Sequence, residues 1–143
     1  MSEIISENSQ TVQTHLGILQ GVIQRMATNS SSCKSWCITI VSAILVIVAD
    51  KGKPQLAFLA LIPTFLFVIL DSYYLSLERC FVKSYNVFVK RLHSSKLTSD
   101  DLFSVAPTDY GIKSVLKAFL SFSVWPFYLT LAVMTYIAMK IIL

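Results

Sequence analysis

Residues 35–49 form a run without a single charged side chain, and a second such run, residues 54–70, follows after only four residues. Lipid offers no hydrogen bonds, so a spanning segment must satisfy its own backbone, and apolar runs of this kind favour membrane-spanning helices. Between them, Gly52 suits the left-handed conformation after a helix end, and Pro54 suits the first position of a new helix. The sequence therefore predicts a transmembrane helical hairpin.

The composition places the whole chain in the same class. Of 143 residues, 55% are apolar and only 14% are charged, whereas soluble domains carry about 25% charged residues. The polar side chains are too few to cover a water-soluble globule, and the length suits one compact unit. We expect an all-α integral membrane protein.

Residues 1–32 are expected to be a polar tail of about ten residues followed by an amphipathic cytoplasmic helix. The run Asn29-Ser30-Ser31-Ser32 is expected to end this helix and to supply capping hydroxyls for the next one. The hairpin then occupies residues 33–75, with Lys34 extending towards the headgroups. The apolar stripe of the first helix recurs at spacings of three and four: Val12, Leu16, Leu19, Ile23 and Met26.

The second span has no stop signal and is predicted to continue as one helix from Pro54 to about His93, with a kink at Pro63. Such a helix is ~60 Å long, about twice the hydrocarbon thickness. Its second half would form a cytoplasmic stalk within the segment 76–111, which ends in a loop. The stalk is expected to pack against the N-terminal helix; alternatively, that helix lies flat on the bilayer. The predicted stalk packing residues are Leu77, Phe81, Tyr85 and Phe88.

Residues 112–143 form a predicted C-terminal membrane helix, the third transmembrane helix, kinked at Pro126. Two interpretations remain open at this point. Residues 118–139 carry no charge and could form one kinked span. Alternatively, residues 112–120 form an interfacial helix, in which apolar side chains oppose Lys113 and Lys117, and the span begins near Trp125.

Three crossings place the N-terminus and the 76–117 segment on one side of the membrane. That side would carry nine of the twelve Lys and Arg residues, and the positive-inside rule makes it cytoplasmic. We therefore expect a bacterial cytoplasmic (inner) membrane protein with its N-terminus and stalk in the cytoplasm. The nine are Arg25, Lys34, Arg79, Lys83, Lys90, Arg91, Lys96, Lys113 and Lys117, against Lys51, Lys53 and Lys140.

Two groups of polar residues are candidate sites. Small and hydroxyl residues on one face of the first span allow close helix approach, or line a water path in an oligomer; this polar face comprises Ser35, Thr39, Ser42 and Asp50. Acids in membrane segments usually have a partner, and Asp71 is expected to pair with Lys34 or Arg25. The predicted interface charge cluster comprises Arg25, Lys34, Asp71, Glu78 and Arg79.

Catalytic patterns are missing from the sequence: there is no Gly-rich phosphate loop, His/Glu metal motif or nucleophile elbow. We therefore expect no enzyme activity, no cofactor and no metal. His15 and His93 are expected in surface or packing roles. Cys33, Cys37 and Cys80 are better interpreted as small packing residues than as zinc ligands. Direct nucleic-acid binding is not expected, because no exposed interleaving of basic and aromatic residues is visible.

Two stretches carry a resemblance to a known class. They are Ile23–Ser30 running into Lys34–Ala43, and Ile62–Phe65 with Leu70–Phe81. Together they resemble small bacterial membrane proteins encoded beside anti-phage defence genes, including TIR-type genes. In layout they are similar to the SLATT class of membrane effectors, which pair a short helical hairpin with cytoplasmic helices. The resemblance covers about residues 12–90, and a third span departs from the two-span SLATT pattern.

The resemblance implies an effector or accessory membrane subunit of an anti-phage defence system, gated by a cytosolic signal or partner. So few helices cannot enclose a pore alone, so we expect a homo-oligomer in the lipid bilayer, and a larger cytosolic sensor or enzyme as a further partner. Two alternatives are a non-conducting membrane anchor for a cytosolic enzyme and a small transporter.

Overall fold

The computed structural model describes residues 9–141, and the described chain is all-helical. The tail predicted for residues 1–10 lies, up to residue 8, outside the described residues. Two of the helices, the first and the second with its 3-10 lead-in, are long and apolar enough to cross a membrane. The elements are α1 (Gln10–Asp50), a 3-10 helix (Pro54–Ala60), α2 (Leu61–His93), a 3-10 turn (Ser99–Asp101), α3 (Ile112–Phe119) and α4 (Trp125–Ile141).

Helix α1 is a single helix of 41 residues, capped at its start by the Ser9 hydroxyl, which accepts from the Val12 amide. The prediction that it ends at residues 29–32 is therefore wrong, and the expected boundary between residues 32 and 33 lies inside α1. Serine in a helix interior costs well under 1 kcal/mol. Burial of α1 along α2 outweighs that cost, and Ser30 finds a partner on α2.

The hairpin turn follows the sequence prediction. Gly52 has φ +57°, and Pro54 opens the 3-10 helix. The helix that follows ends at His93, where it was predicted to end. Pro63 does not kink an α-helix interior as predicted, because the backbone is 3-10 up to Ala60 and α2 begins at Leu61. The proline thus lies in the first turn of α2, where a missing N–H is tolerated.

Helices α1 and α2 are antiparallel neighbours, and their facing sides form most of the core. Near the turn, Cys37 and Val41 pack in a cluster with Ala60, Leu75 and residues of α3 and α4. Two further clusters continue along the pair. In the first, Leu19 and Met26 pack on Phe81, and Ile23, Leu77 and Tyr85 lie at its edge. In the second, Val12 packs on Phe88 and Leu92, and Leu16 lies at its edge.

An elbow, residues 120–124, separates α3 from α4. Helix α3 meets α2 through a hydrogen bond from the Ser76 hydroxyl to the Ser114 hydroxyl, and the elbow meets it through Arg79 and Ser121. Of the two interpretations left open, the structure matches the short amphipathic helix followed by a helix from Trp125. Pro126 lies in the first turn of α4 and starts this helix; the predicted kink is absent from it.

Candidate functional site

Asp71 is the most deeply buried charged side chain of the described chain, with 0% exposure. Its Oδ1 accepts a hydrogen bond from the Ser30 hydroxyl of α1. The Lys34 Nζ lies 2.5 Å from Oδ2, and the Lys34 side chain keeps 21% exposure. Lys34 and Asp71 therefore form a salt bridge between α1 and α2.

The helical repeat explains this arrangement. Ser30 and Lys34 are one turn apart on α1 and therefore face the same point on α2. The Asp71 carboxylate also interacts electrostatically with the hydroxyl of Tyr128 on α4, which donates to the Phe67 carbonyl. Three helices thus meet at one carboxylate. An uncompensated charge would be costly at this depth, and Lys34 compensates the Asp71 carboxylate where α1 packs on α2.

The other members of the predicted charge cluster lie apart from Asp71. Arg79 donates from Nη2 to the Ser121 hydroxyl at 2.7 Å. Arg25 is exposed, Glu78 is half-buried, and no ion pair joins them in the described part of the chain. The helical repeat turns Arg25 away from the side of α1 that packs on α2. Of the two partners predicted for Asp71, the structure selects Lys34.

The predicted polar face of the first span is turned outward. Ser35, Thr39, Ser42 and Asp50 are all exposed. The Thr39 hydroxyl bonds to the backbone carbonyl of residue 35, so it needs no partner from elsewhere. The opposite side of α1 is buried and carries Cys33, Cys37 and Val41. The structure therefore leaves these small polar residues outside the contact between α1 and α2.

The predicted stalk packing residues all contact α1 side chains or their clusters. Phe81 is buried with Leu19 and Met26, and Leu77 and Tyr85 pack at the edge of that cluster. Phe88 is buried with Val12 at the far end of the stalk. The flat arrangement of the first helix on a bilayer does not occur in this structure, because its apolar stripe is covered by α2.

His15 joins the stalk to the loop that follows it. The imidazole is 1% exposed, stacks on Phe88 with ring centroids 4.3 Å apart, and accepts a hydrogen bond at Nδ1 from the Phe103 amide at 2.9 Å. Burial lowers the pKa of His15 below its ordinary value of 6.5, and the charge of Asp101 opposes that shift. Phe103 has φ +62°, a strained conformation for an aromatic residue, which this contact helps to hold.

A second set of contacts fixes the rest of the loop. The Ser84 hydroxyl accepts from the Thr108 amide at 2.9 Å and lies 2.8 Å from the Ala106 carbonyl. Arg91 pairs with Asp101 at 2.6 Å, and hydrogen bonds from Thr98 are the main cause that lowers the pKa of Asp101. The loop is therefore a folded part of the stalk.

Sequence reasoning missed Ser30, Tyr128 and Ser84. Ser30 was assigned to a helix end, although its spacing of four from Lys34 was a usable signal for a shared face. Tyr128 and Ser84 had none, because their partners are 61 and 24 residues away. The three cysteines are buried and free, and no group of three metal-ligating residues occurs among residues 9–141.

The chain matches no protein-family model, no curated protein and no solved structure. The relationship to the SLATT class therefore stays a prediction that rests on the two sequence stretches quoted above.

Proposed function

We propose that this chain is an integral protein of the bacterial cytoplasmic membrane that works as an oligomeric, signal-gated effector or accessory subunit in anti-phage defence. One observation carries the membrane assignment. The most apolar 18-residue windows of the two long helices are only 22% and 33% buried. A core helix of a soluble protein hides its apolar side chains, whereas here Val46, Ile62 and Phe65 are each more than 60% exposed.

The dimensions support the same arrangement. The segment from Pro54 to Leu70 combines a seven-residue 3-10 helix with about ten α-helical residues, which together span ~29 Å. That length matches a hydrocarbon core of ~30 Å. Helix α4 has 17 residues, ~25 Å, and its far end, at Ala138 and Met139, lines a small cavity with Pro54 and Ala57 of the turn. The length of α4 and the position of its far end beside Pro54 and Ala57 support a third crossing by α4.

The outward polar face supports self-association. Small and hydroxyl residues on a lipid-exposed helix face let two helices approach closely. Ser35, Thr39 and Ser42 lie on the side of α1 opposite its packing against α2. A second copy of the chain is the partner that this face would take in a membrane.

The continuity of the long helices supports gating. Helix α1 runs without interruption from Gln10, beside the far end of the stalk, to the turn at Asp50. A cytosolic partner that shifts the stalk would therefore move the spanning half of the same rigid helix. The Asp71–Lys34 pair lies where α1 and α2 enter the membrane in this arrangement, so it would hold the resting state.

The proposal is tested by membrane depolarisation and leakage in cells that express the protein, with and without phage infection. We expect the unchanged protein to depolarise the membrane only on infection, and Asp71→Ala, in a protein that still accumulates, to depolarise it without infection because the pair that holds the resting state is lost. Depolarisation by the unchanged protein without infection, or an Asp71→Ala variant that still needs infection, would contradict gating through this pair. An intact membrane under both conditions would contradict the effector and favour the anchor for a cytosolic enzyme.

Self-association is tested separately by cysteine cross-linking in isolated membranes. Thr39→Cys is expected to form a cross-linked dimer. Ile40→Cys is the matched control, because Ile40 lies at nearly the same depth but about 100° away around α1. Equal cross-linking of both variants, or none at Thr39→Cys, would exclude this face as the contact between copies.

A further inference from the structure

An apolar groove lies between α2 and the elbow that joins α3 to α4. Its volume is about 380 Å³, within the ~300–1,000 Å³ range of small-molecule sites. The lining side chains carry two polar groups, the hydroxyl of Tyr128, which donates to the Phe67 carbonyl, and the indole N–H of Trp125. The lining residues are Val68, Phe119, Leu120, Trp125, Tyr128 and Leu129.

The guanidinium of Arg79 lies beside one end of this groove. Arg79 donates to the hydroxyl of Ser121, which follows the groove residue Leu120 in the chain. Arg79 is exposed and forms no ion pair with a carboxylate among the residues that the structure describes. A guanidinium has five N–H donors, so most of its donors remain available to a ligand.

Helix α3, which leads into the elbow, adds further charge of the same sign. Lys117 is exposed and lies one helical turn before Ser121, and Lys113 is exposed one turn earlier. The α3 segment between them presents Leu116, and Phe122 in the elbow is 85% exposed. Cations and exposed apolar side chains together on a short helix are typical of a segment at the boundary between headgroups and acyl chains.

The order of these groups matches one class of ligand. From Arg79 to Val68 the α2 backbone advances ~16 Å towards the membrane interior, and the apolar groove lies beyond the cation on that side. A phospholipid has the same order, with a phosphate above an acyl chain. Two or three cations favour a lipid with net negative charge, because the choline of a zwitterionic lipid would meet them with like charge.

We infer that this elbow binds one anionic phospholipid, with an acyl chain in the groove and the phosphate on Arg79 and Lys117. The site rests on the proposed membrane insertion and specifies its partner. Arginine holds the phosphate through paired N–H donors, and the lysine adds charge. The bound lipid would fasten the elbow to the cytoplasmic leaflet.

The test is native mass spectrometry of the purified full chain in detergent with equal amounts of phosphatidylglycerol and phosphatidylcholine. We expect selective retention of phosphatidylglycerol. Arg79→Gln should weaken it on the order of tenfold, as the loss of about one charge-assisted hydrogen bond implies. Arg79→Lys should keep part of the selectivity, and Lys96→Gln, an exposed cation on the loop, should keep all of it.

The groove is tested by Leu129→Trp, which places a large ring where the acyl chain would lie. We expect this variant to lose phosphatidylglycerol while an excess of inorganic phosphate fails to displace the lipid from the unchanged protein. Displacement by phosphate would reduce the site to an anion site and overturn the inference. Equal retention of both lipids, or unchanged retention in Arg79→Gln, would overturn it as well.

A separate measurement distinguishes the inference from the proposed function. Resistance to alkaline extraction reports membrane integration and does not depend on lipid class. A chain that resists extraction but shows no lipid preference would refute the anionic-lipid site alone. A chain that is extracted would refute the membrane assignment and the lipid site together.

Discussion

The buried pair of Asp71 and Lys34 allows a quantitative test of how α1 and α2 are held together. Removing one partner of a buried ion pair costs about 3–5 kcal/mol when the remaining charge stays buried. The two side chains differ, because Asp71 is fully buried while Lys34 is 21% exposed. Lys34→Met therefore leaves an unpaired buried carboxylate, whereas Asp71→Asn leaves an ammonium that can turn towards water. We expect costs of about 3 kcal/mol for Lys34→Met and about 1–2 kcal/mol for Asp71→Asn.

The double variant isolates the pair itself. With both charges removed, the unfolding free energy should fall by about 1–3 kcal/mol less than the sum of the two single losses. The assay is reversible unfolding by SDS in mixed micelles, followed by helical circular dichroism. Lys96→Met, an exposed loop cation, should change stability by less than about 0.5 kcal/mol. Additive single losses, or a larger loss for Asp71→Asn than for Lys34→Met, would refute this account of the pair.

Three further predictions concern the stalk, the loop and the turn. Burial lowers the pKa of His15, so the neutral imidazole stabilises the fold fully above pH 6.5. This stabilisation is lost as the pH falls below that value, because protonation removes the Nδ1 acceptor for the Phe103 amide. The melting temperature should therefore fall between pH 8 and pH 5.5, and it should fall less in His15→Phe. Ser84→Ala should speed hydrogen exchange of the Thr108 amide and cost about 1–2 kcal/mol; an unchanged exchange rate there would contradict the assigned bond. Gly52→Ala should cost about 1 kcal/mol in SDS unfolding, because φ is +57°; a neutral result would mean that the turn adopts another conformation.

The sequence by itself determined the helical class, the hairpin turn and the extent of the second helix. These follow from local physics. A charge-free run followed by Gly52 and Pro54 restricts the backbone to a helix that ends in a tight turn. The apolar stripe of the second helix continues past Tyr73 and Tyr74 to His93 without a break. The helical repeat also predicted that the apolar stripes of the first helix and of the stalk each pack against another helix. The structure puts these two faces together.

Only the tertiary structure decided where helices continue and where they break. The local sequence of residues 29–32 predicts the end of a helix. Packing along α2 and the contact between Ser30 and Asp71 nevertheless keep α1 helical through these residues. Pro126 predicts a kink inside a helix. Because the chain bends at the elbow before it, α4 begins at Trp125 and the proline lies in its first turn. The sequence left Lys34 and Arg25 open as partners of Asp71, and the structure selects Lys34, 37 residues away. The sequence predicted no partner for Arg79 or His15, which meet Ser121 and Phe103 at separations of 42 and 88 residues. Contacts at such separations depend on how whole helices pack, and a local pattern carries no record of that packing.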